Sequence, residues 1–441
     1  MKPQFLIGSV SSGGGKTLFA MGLLRLLKNR GLKVQSYKTG PNFMDVQLHS
    51  LAGGIDAVNL DSYLASRTRL QSLYNQYGEK ADTCLIEGSA ALFDGYRRMH
   101  GSSAELSQTL SVPVVLVVNA RSVSYSVAPI LFGFKKFNPS VNIVGVVFNQ
   151  VSSTLHYSYL KDACNDAGLQ CLGYIPYDET LNLPAGHTAL TQGVRTELEE
   201  VVDKVCAYIS RYVDVDRLLK ITTRIFPCPY TLPYTSDIDT ESMPLPLGKK
   251  IRIAVARDAA FNFIYKENLN CLSQEGHLSF FSPLYSNVLP EADLIYLPGG
   301  YPELFARQLH RRKAFLQQLH SYVERGGKVW AEGGGLVLLS RSLTIREGGS
   351  AYEMSGALSL VCSMVDSRLN AGYRCTKLGN SLLNGHEFRY FGVNAVDSIS
   401  KIQVFNVKGI ETETPLYRYK NVIAGCVHWE WARIGLSQLF Y

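Results

Sequence analysis

Residues 5–17 read Phe5-Leu6-Ile7-Gly8-Ser9-Val10-Ser11-Ser12-Gly13-Gly14-Gly15-Lys16-Thr17, and a long helical pattern follows them. A strand, a glycine-rich turn and a helix in this order point backbone N–H groups at a phosphate, as in a P-loop. The strict GxxxxGK[ST] pattern needs a glycine where Val10 stands, so we interpret residues 8–17 as a longer variant of this loop. An ordinary glycine-rich turn is the alternative, which the Lys-Thr pair between strand and helix disfavours.

The P-loop predicts a nucleotide site with defined roles for its last residues. Glycines let the backbone approach closely, Lys16 reaches the terminal phosphates, and the Thr17 hydroxyl can bind Mg²⁺. The residues predicted to hold the nucleotide here are Ser12, Gly13, Gly14, Gly15, Lys16 and Thr17.

Composition describes a folded protein of more than one domain. The chain has 441 residues, of which 46% are hydrophobic and 18% are charged. This length exceeds one ordinary core, so two or three domains are expected. The net charge of +7 comes without a block of lysine and arginine, which argues against a nucleic-acid partner and is compatible with a polyanionic small molecule.

Cysteine usage and hydropathy favour a cytoplasmic protein. The nine cysteines are scattered without a CxxC pair, as expected of reduced, core-filling thiols rather than of a disulfide or zinc framework. No apolar run approaches the ~18 residues of a membrane span, and the first apolar run leads into the P-loop rather than resembling a signal peptide. We therefore expect no membrane partner.

Apolar runs alternate with helical patterns from residue 4 to about 210. The predicted strands are Phe5–Gly8, Val34–Tyr37, Thr83–Glu87, Val114–Asn119, Ile143–Asn149 and Leu172–Ile175, and the helices between them include Leu18–Arg30 and Thr154–Ala167. Strands separated by helix-length connections predict an α/β fold with a parallel, doubly wound sheet. Such sheets bind ligands at the carboxyl ends of their strands.

Prolines mark a boundary within the chain. Several interrupt a polar stretch between residues 214 and 248, which predicts a linker. Further strands are predicted beyond it at Ile251–Ala256, Leu294–Leu297, Val329–Ala331 and Val422–Val427. The predicted organisation is a P-loop domain at 1–213, a linker at 214–248 and a second α/β domain at 249–441.

Three acidic residues follow the ends of predicted strands: Asp45, Glu87 and Asp94. Because Mg²⁺ prefers a few carboxylates together with phosphate oxygens, Asp45 and Glu87 beside Thr17 are predicted to form a metal site. Lys38, at a strand end, could neutralise phosphoryl charge during transfer. Each acid could instead be a helix cap or turn former, and Lys38 a surface lysine.

The order and spacing of these motifs resemble the cobyrinate a,c-diamide synthase family, in the dethiobiotin-synthetase-like group of P-loop enzymes. The motifs are Lys38-x-Gly40-Pro41-x-Phe43-x-Asp45 with His49, Asn59-Leu60-Asp61, Glu87-Gly88 through Leu92-Phe93-Asp94-Gly95, and Pro184-x-x-His187. The resemblance continues through the second domain and covers nearly the whole chain.

The resemblance implies ATP-dependent amidation of the a and c carboxylates of cobyrinate, or of hydrogenobyrinate, in cobalamin biosynthesis. ATP would phosphorylate a carboxylate, and ammonia would displace phosphate from the acyl phosphate. By the same resemblance the P-loop holds ATP, and the further residues implied are Thr17, Asp45 and Glu87 for Mg²⁺, His49 and Asp94 near the tetrapyrrole, and Asn149 at the adenine. A strand-end turn is the alternative for Asn149, and a homodimer is expected from the resemblance.

The chain departs from the family pattern on its substrate side. Asn42 stands where an aspartate is usual, and Asn119 ends a strand that normally ends in aspartate. Ala90-Ala91 replace methionine-glycine, and Ala185-Gly186 replace glutamate-arginine before His187. The exact tetrapyrrole is therefore less well defined than the phosphate chemistry.

The second domain resembles a class I glutamine amidotransferase domain, with its clearest motif at Leu297-Pro298-Gly299-Gly300-Tyr301-Pro302-Glu303-Leu304. Backbone N–H groups of Gly299 and Gly300 would stabilise the oxyanion formed from glutamine. His428, after the last predicted strand, is the predicted base, with Glu430 spaced to orient it. A packed terminal histidine is the alternative.

The nucleophile that such a domain uses is missing. A cysteine is expected at a strand–turn–helix elbow where the chain reads Ala331-Glu332-Gly333-Gly334-Gly335, and Gly333 has no side chain to attack an amide. Cys426 is off the elbow, and we do not expect it to substitute. Natural use of free ammonia, an engineered glutamine trap and a structural domain all fit Gly333; we predict weak or absent glutamine hydrolysis with ammonia-supported amidation.

Other functions share parts of this pattern. A nickel-sirohydrochlorin diamide synthase shares most of the motifs, whereas cobyric acid synthase should differ at residues 40–45. A catalytically silent tetrapyrrole- or nucleotide-binding protein belongs to a different class, and such a protein does not need the metal carboxylates. Phosphate release on adding a tetrapyrrole carboxylate discriminates between these classes.

Overall fold

The computed structural model describes residues 1–184, 191–228, 250–365, 367–379, 381–431 and 440. The chain divides into two compact units, Met1–Tyr234 and Thr235–Tyr441. Each unit has its own sheet and its own hydrophobic core.

A parallel sheet forms the centre of the first unit. Its strands are β1 (Lys2–Ser9), β2 (Val34–Thr39), β3 (Val58–Leu60), β4 (Thr83–Glu87), β5 (Val114–Asn119), β6 (Ile143–Val151) and β7 (Gln170–Pro176). They lie in the order β3-β2-β4-β1-β5-β6-β7, and every neighbouring pair along this path is parallel. The predicted α/β fold with a doubly wound sheet is confirmed.

Helices cover both faces of this sheet because each connection between parallel strands must cross over. They are α1 (Lys16–Asn29), α2 (Phe43–Gly53), α3 (Arg67–Gly78), α4 (Ser103–Leu110), α5 (Val127–Phe137), α6 (Thr154–Asp166), α7 (Gln192–Tyr212) and α8 (Val215–Ile221). One core cluster packs α3, α4 and α6 against one face of the sheet, and another packs α1 and α7 against the other.

Residues 214–228 belong to the first unit, whereas the predicted linker begins at residue 214. The helix α8 packs through Val215 and Leu218 into the core shared with α1 and α7. A short strand, β8 (Thr223–Arg224), then pairs antiparallel with β1. The prediction failed here because the prolines that signalled a linker begin only at residue 227, and residues 229–248 of the predicted linker lie outside the described residues.

The second unit also has a mainly parallel sheet, in the order β10-β9-β11-β12-β23-β22-β19. Its strands are β9 (Ile251–Ala256), β10 (Gly276–Phe281), β11 (Leu294–Leu297), β12 (Lys328–Glu332), β19 (Ser400–Lys401), β22 (Leu416–Tyr419) and β23 (Val422–Gly425). The helices of this unit are α9 (Lys266–Glu275), α10 (Ala306–His310), α11 (Lys313–Glu324) and α12 (Gly334–Leu339), with a 3₁₀ turn at Pro302–Phe305.

Two smaller sheets complete the described part of the second unit. One has the order β14-β13-β15-β18, with β13 (Ser342–Thr344), β14 (Tyr352–Glu353), β15 (Leu360–Ser363) and β18 (Gly392–Ala395). The other has the order β21-β20-β16-β17-β24, with β16 (Asn370–Leu378), β17 (Ser381–Arg389), β20 (Val404–Asn406), β21 (Glu411–Thr412) and β24 (Val427–Glu430). The chain therefore leaves the main sheet after β23 and enters this last sheet through β24.

Candidate active sites

Steric crowding and backbone conformation require glycine at three positions of the P-loop. Gly13 and Gly15 have positive φ values of +72° and +94°, which glycine adopts without strain. A Cβ on Gly14 would lie 2.1 Å from Ser9 Oγ, and one on Gly15 would lie 2.1 Å from Asn149 Nδ2. The helix α1 begins directly after Gly15, so its unsatisfied N–H groups face the loop.

Lys16 points from the P-loop toward the segment that follows β4. Its Nζ donates a hydrogen bond of 2.6 Å to the carbonyl oxygen of Ala90. Burial lowers the pKa of Lys16, and the positive charge of Lys38 lowers it further. The carboxylates of Asp45 and Asp94 act on Lys16 in the opposite direction, so these acids lie close enough to share its electrostatic environment.

Glu87, the last residue of β4, is the centre of a buried polar cluster. Its Oε1 accepts hydrogen bonds from Thr17 Oγ1 at 2.7 Å and from Lys38 Nζ at 2.8 Å. Its Oε2 lies 2.5 Å from His49 Nε2. The side chains of Glu87 and His49 are fully buried, because β1, β2 and β4 bring the P-loop and these strand ends together.

The charges within this cluster compensate one another. Burial alone would raise the pKa of Glu87, but Lys38 and His49 lower it well below its usual range. Burial alone would lower the pKa of Lys38, but Glu87 and Asp45 raise it. A buried carboxylate and a buried ammonium therefore stay charged beside the P-loop, where an unpaired charge would be very costly.

Asp45 completes the cluster from the first turn of α2. Its Oδ2 lies 2.7 Å from Lys38 Nζ, and its backbone N–H is capped by Asn42 Oδ1 at 2.8 Å. Lys38 thus lies between the two carboxylates that the sequence assigns to Mg²⁺, so a cation already occupies the space between them. The oxygens of Thr17, Asp45 and Glu87 form the kind of donor set that Mg²⁺ takes in proteins.

The two residues expected near the substrate differ in exposure. Asp94 is exposed in the segment that follows β4, where a substrate can reach it. His49 is fully buried against Glu87, and its Nδ1 has no hydrogen-bond partner within the described part of the chain. In this structure His49 supports Glu87 rather than facing a substrate.

A cleft of about 650 Å³ lies beside the P-loop. Its lining includes Gly15, Arg121, Asn149, Gln150 and Tyr177, and the guanidinium carbon of Arg121 lies 5.3 Å from the ring centre of Tyr177. Asn149 Nδ2 donates to the Gly14 carbonyl at 3.3 Å, and its Oδ1 accepts from the Gln150 backbone at 3.0 Å. Asn149, predicted to contact adenine, therefore also holds the P-loop.

In the second unit the residue at the elbow is Gly333, between β12 and α12. Its φ and ψ are +47° and −109°, a region in which a side chain is strained. A Cβ on Gly333 would lie 2.9 Å from His428 Cε1 and 3.3 Å from His428 Nε2. The Gly333 backbone N–H donates to the Gly425 carbonyl at 2.8 Å, so the elbow is fixed to the strand that precedes His428.

His428 lies within β24, whereas the sequence places it after the last strand. It is 1% exposed, and its Nδ1 lies 3.7 Å from Glu332 Oε2. Glu332 is itself held by Tyr296 Oη at 3.0 Å and Trp330 Nε1 at 2.9 Å. Sequence reasoning missed Glu332, although its place directly before the elbow was a usable signal; Glu430 as the orienting acid stays a prediction.

Gly299 and Gly300, the glycines predicted to form the oxyanion hole, lie close to His428 and to the elbow. A Cβ on Gly299 would lie 2.0 Å from His428 Cε1, which excludes any side chain there. Gly300 has a φ of +150°, and its backbone nitrogen lies 3.3 Å from where a Cβ on Gly334 would be. The elbow, the imidazole and these backbone groups therefore converge on one place, although Gly333 offers no nucleophile to it.

Two features are absent from the residues that the structure describes. No group of three or more histidine, cysteine, aspartate or glutamate side chains is arranged to hold a metal ion there. No helix among them is long and apolar enough to span a membrane.

Comparison with known families matches both halves of the chain. Residues 5–190 match the CobQ/CobB/MinD/ParA nucleotide binding domain. Residues 252–433 match the CobB/CobQ-like glutamine amidotransferase domain. The first unit therefore carries a nucleotide-binding domain and the second a glutamine-amidotransferase-like domain.

Curated relatives match over most of their length. The cobyrinate a,c-diamide synthase of Listeria innocua is 35% identical over 404 residues, which are 88% of this chain and 86% of the relative. That of Saccharolobus solfataricus is 31% identical over 456 residues, covering 99% of this chain and 100% of the relative. This chain belongs to the cobyrinate a,c-diamide synthase family.

The family resemblance seen in the motifs is thereby confirmed. The hydrogenobyrinate a,c-diamide synthase of Brucella anthropi, 37% identical over 88% of this chain and 89% of its own length, extends the family to a second named substrate. The family motif Pro184-x-x-His187 lies partly outside the described residues, together with the departure at Ala185-Gly186.

Proposed function

We propose that this member of the cobyrinate a,c-diamide synthase family amidates the a and c carboxylates of cobyrinate or hydrogenobyrinate. ATP drives the reaction through acyl-phosphate intermediates, and free ammonia is the nitrogen donor. The observation that carries the proposal is the buried cluster of Lys38, Glu87 and Asp45 against Lys16 and Thr17 of the P-loop.

The cluster supports phosphoryl transfer to a carboxylate. A substrate carboxylate oxygen attacks the terminal phosphorus of ATP, the P–O bond to ADP breaks, and an acyl phosphate forms. Lys16 and Lys38 offset negative charge on the transferred group. Ammonia then adds to the acyl carbon, loses a proton, and expels inorganic phosphate to leave the amide.

Mg²⁺ fits the same cluster. Thr17, Asp45 and Glu87 would hold it, since the Thr17 hydroxyl contacts Glu87 and both carboxylates contact the ammonium of Lys38. When bound, the ion would supply charge neutralisation at the phosphate oxygens. Asp94 remains exposed beside this cluster and is proposed to meet the substrate.

The elbow supports the choice of free ammonia as the donor. His428, Glu332 and the backbone groups of Gly299 and Gly300 are present, but Gly333 has no nucleophilic atom. Hydrolysis of glutamine in such a domain needs an activated nucleophile to form a covalent intermediate. Without it, glutamine is a poor source of nitrogen.

The test is amidation of cobyrinate with ATP and Mg²⁺, with either ammonium or glutamine. We expect phosphate release and product amides with ammonium, and little of either with glutamine. Lys16→Met should abolish phosphate release, and Lys33→Met, an exposed lysine before β2, is the matched control.

Each outcome of this assay decides one part of the proposal. Turnover with glutamine equal to that with ammonium contradicts the choice of donor. Phosphate release with nickel-sirohydrochlorin or cobyrinate a,c-diamide, but not with cobyrinate, contradicts the substrate. No phosphate release with any of these tetrapyrroles contradicts the ligase reaction itself and favours a binding protein.

A further inference from the structure

Residues 95–101, here called the arginine loop, follow Asp94 and form a tightly bonded turn. Gly95 N–H donates to the Arg98 carbonyl at 2.7 Å, and His100 N–H donates to the Arg97 carbonyl at 3.1 Å. Arg98 has a φ of +55°, a conformation that costs a non-glycine residue of the order of 1 kcal/mol. Bonds within the loop thus hold an arginine in a strained position on the surface.

Glu105 of α4 attaches the arginine loop to the rest of the unit. Its Oε2 accepts from the Gly101 backbone at 2.6 Å and from Ser62 Oγ at 3.3 Å. Its Oε1 lies 3.1 Å from His100 Nδ1. The negative charge of Glu105 is therefore engaged with the loop backbone and with His100, which leaves the arginines beside it uncompensated.

A cleft of about 700 Å³, open to solvent, lies between this loop and the start of α3. Its lining includes Ser62, Ser66, Arg67, Tyr96, Glu105 and Gln108. Arg67, Arg97 and Arg98 are exposed, and within the described part of the chain no hydrogen bond or ion pair engages any of their guanidinium groups. Three uncompensated positive charges are thus held at one cleft and the loop beside it.

The arginine loop is joined to the proposed reaction site by short connections. Leu92 N–H donates to the Ser9 carbonyl at 2.8 Å, and Lys16 Nζ contacts the Ala90 carbonyl. Asp94, whose charge acts on Lys16, immediately precedes the loop. A large ligand with one group at Lys16 can therefore place another group at the arginines.

We propose that Arg67, Arg97 and Arg98 bind peripheral carboxylates of the tetrapyrrole that are not undergoing amidation. This inference rests on the proposed function, which supplies a substrate with several carboxylates on one rigid ring. Guanidinium groups pair with carboxylates through two parallel hydrogen bonds, which gives orientation as well as affinity. Anchoring the remote carboxylates presents the reacting one to the phosphate.

Carboxylates fit these arginines better than nucleotide phosphates do. Lys16 and Lys38 already supply positive charge for phosphate groups at the P-loop. The acids whose charges act on Lys16 are Glu87, Asp45 and Asp94. The cleft lies between α3 and α4, and its lining includes Arg67, Tyr96 and Gln108 but no residue of the P-loop. The arginines therefore extend the site toward the substrate rather than toward the nucleotide.

The test measures binding of cobyrinate without ATP to the full-length protein, by titration calorimetry at low and high salt. We expect the double variant Arg97→Ala/Arg98→Ala to raise the Kd about tenfold at low salt, with a weaker salt dependence than wild type. The Kd of Arg97→Lys/Arg98→Lys should lie between those of wild type and the alanine variant, since lysine keeps the positive charge but cannot form the bidentate hydrogen bonds of arginine.

Two controls isolate the carboxylate contact. Lys33→Ala/Lys80→Ala removes the same charge from exposed positions before β2 and β4, at the opposite edge of the sheet, and should leave the Kd unchanged. Fully methyl-esterified cobyrinate should bind wild type and the double arginine variant equally. The Kd for ATP should be the same as that of wild type in both the double arginine-to-alanine variant and the double lysine-to-alanine variant.

An unchanged Kd for cobyrinate in the arginine variant overturns this inference, as does a parallel rise in the Kd for ATP. Arginine-dependent binding without phosphate release supports the inference and contradicts the proposed reaction. If amidation proceeds and the Kd for cobyrinate is unchanged in the arginine variant, the proposed reaction is supported and the inference about the arginines is contradicted. Absence of cobyrinate binding by the wild type contradicts both.

Discussion

Replacing Gly333 by cysteine should create glutamine hydrolysis in this protein. The Cβ of the new residue would lie 2.9 Å from His428 Cε1 and 3.3 Å from His428 Nε2, so the sulfur, one bond further on, meets the imidazole. Histidine beside a cysteine favours the reactive thiolate. Backbone N–H groups near Gly299 and Gly300 are present to receive the oxyanion.

The expected gain is large because a nucleophile is all that the site lacks. Removing the nucleophile from a serine protease lowers kcat by a factor on the order of 10⁶, while the rest of the site retains about 10³-fold catalysis. We therefore expect Gly333→Cys to release glutamate at least about 10³ times faster than the parent chain. Amidation of cobyrinate should then proceed with glutamine alone.

The same substitution has a calculable structural cost. A side chain at a φ of +47° costs about 1–3 kcal/mol, and the 2.9 Å contact requires the imidazole to shift by a few tenths of an ångström. Gly333→Ala carries the same strain without the thiol and is the matched control for Tm. Gly333→Cys combined with His428→Ala should lose the gain.

Glutamate release is the decisive assay, and site-specific alkylation at position 333 is the supporting one. If Gly333→Cys folds as well as Gly333→Ala, is alkylated at that cysteine, and still releases glutamate no faster, the reasoning about this elbow is wrong. Survival of the gain in the His428→Ala background would refute the assignment of His428 as base.

Three further predictions concern single side chains. Lys38→Met leaves buried Glu87 without its ammonium and should lower the free energy of unfolding by about 3 kcal/mol; denaturant titration tests this, and an unchanged midpoint contradicts it. Asn149→Ala removes the bond to the Gly14 carbonyl and should weaken ATP binding about fivefold; equal affinity by titration contradicts a role in holding the loop. Burial raises the pKa of Glu303 to about 7, above the usual ~4.3, so the fold loses stability as pH rises through that range. Glu303→Gln should therefore raise Tm at pH 8 and not at pH 4, and an equal effect at both values contradicts this.

The strands were predictable where both faces of the sheet are covered. Such strands consist of continuous apolar runs, and Thr83–Glu87 and Val114–Asn119 were predicted with their observed bounds. β3 (Val58–Leu60) was missed because three residues are too few for a pattern. The helix α8 was missed because its seven residues precede a proline-rich stretch that dominated the interpretation.

The candidate sites were predictable as sets of residues but not as geometry. Strand ends converge on one edge of a parallel sheet, which is why Lys38, Asp45 and Glu87 could be expected to lie together, as they do; their roles stay predictions. That His49 is buried behind Glu87, and that Glu332 stands beside His428, depends on packing between distant elements. For Glu332 the one local signal is its place directly before the elbow, and for the burial of His49 there is none.

The crowding around Gly14 and Gly15 bears on the thermodynamics of nucleotide capture. A loop that folds only around its ligand loses conformational entropy at that moment, and this loss weakens binding. Here Ser9 and Asn149 pack against the two glycines, and Asn149 also donates a hydrogen bond to the Gly14 carbonyl. The loop is therefore preorganised, and nucleotide binding should proceed with little entropic penalty from the loop backbone.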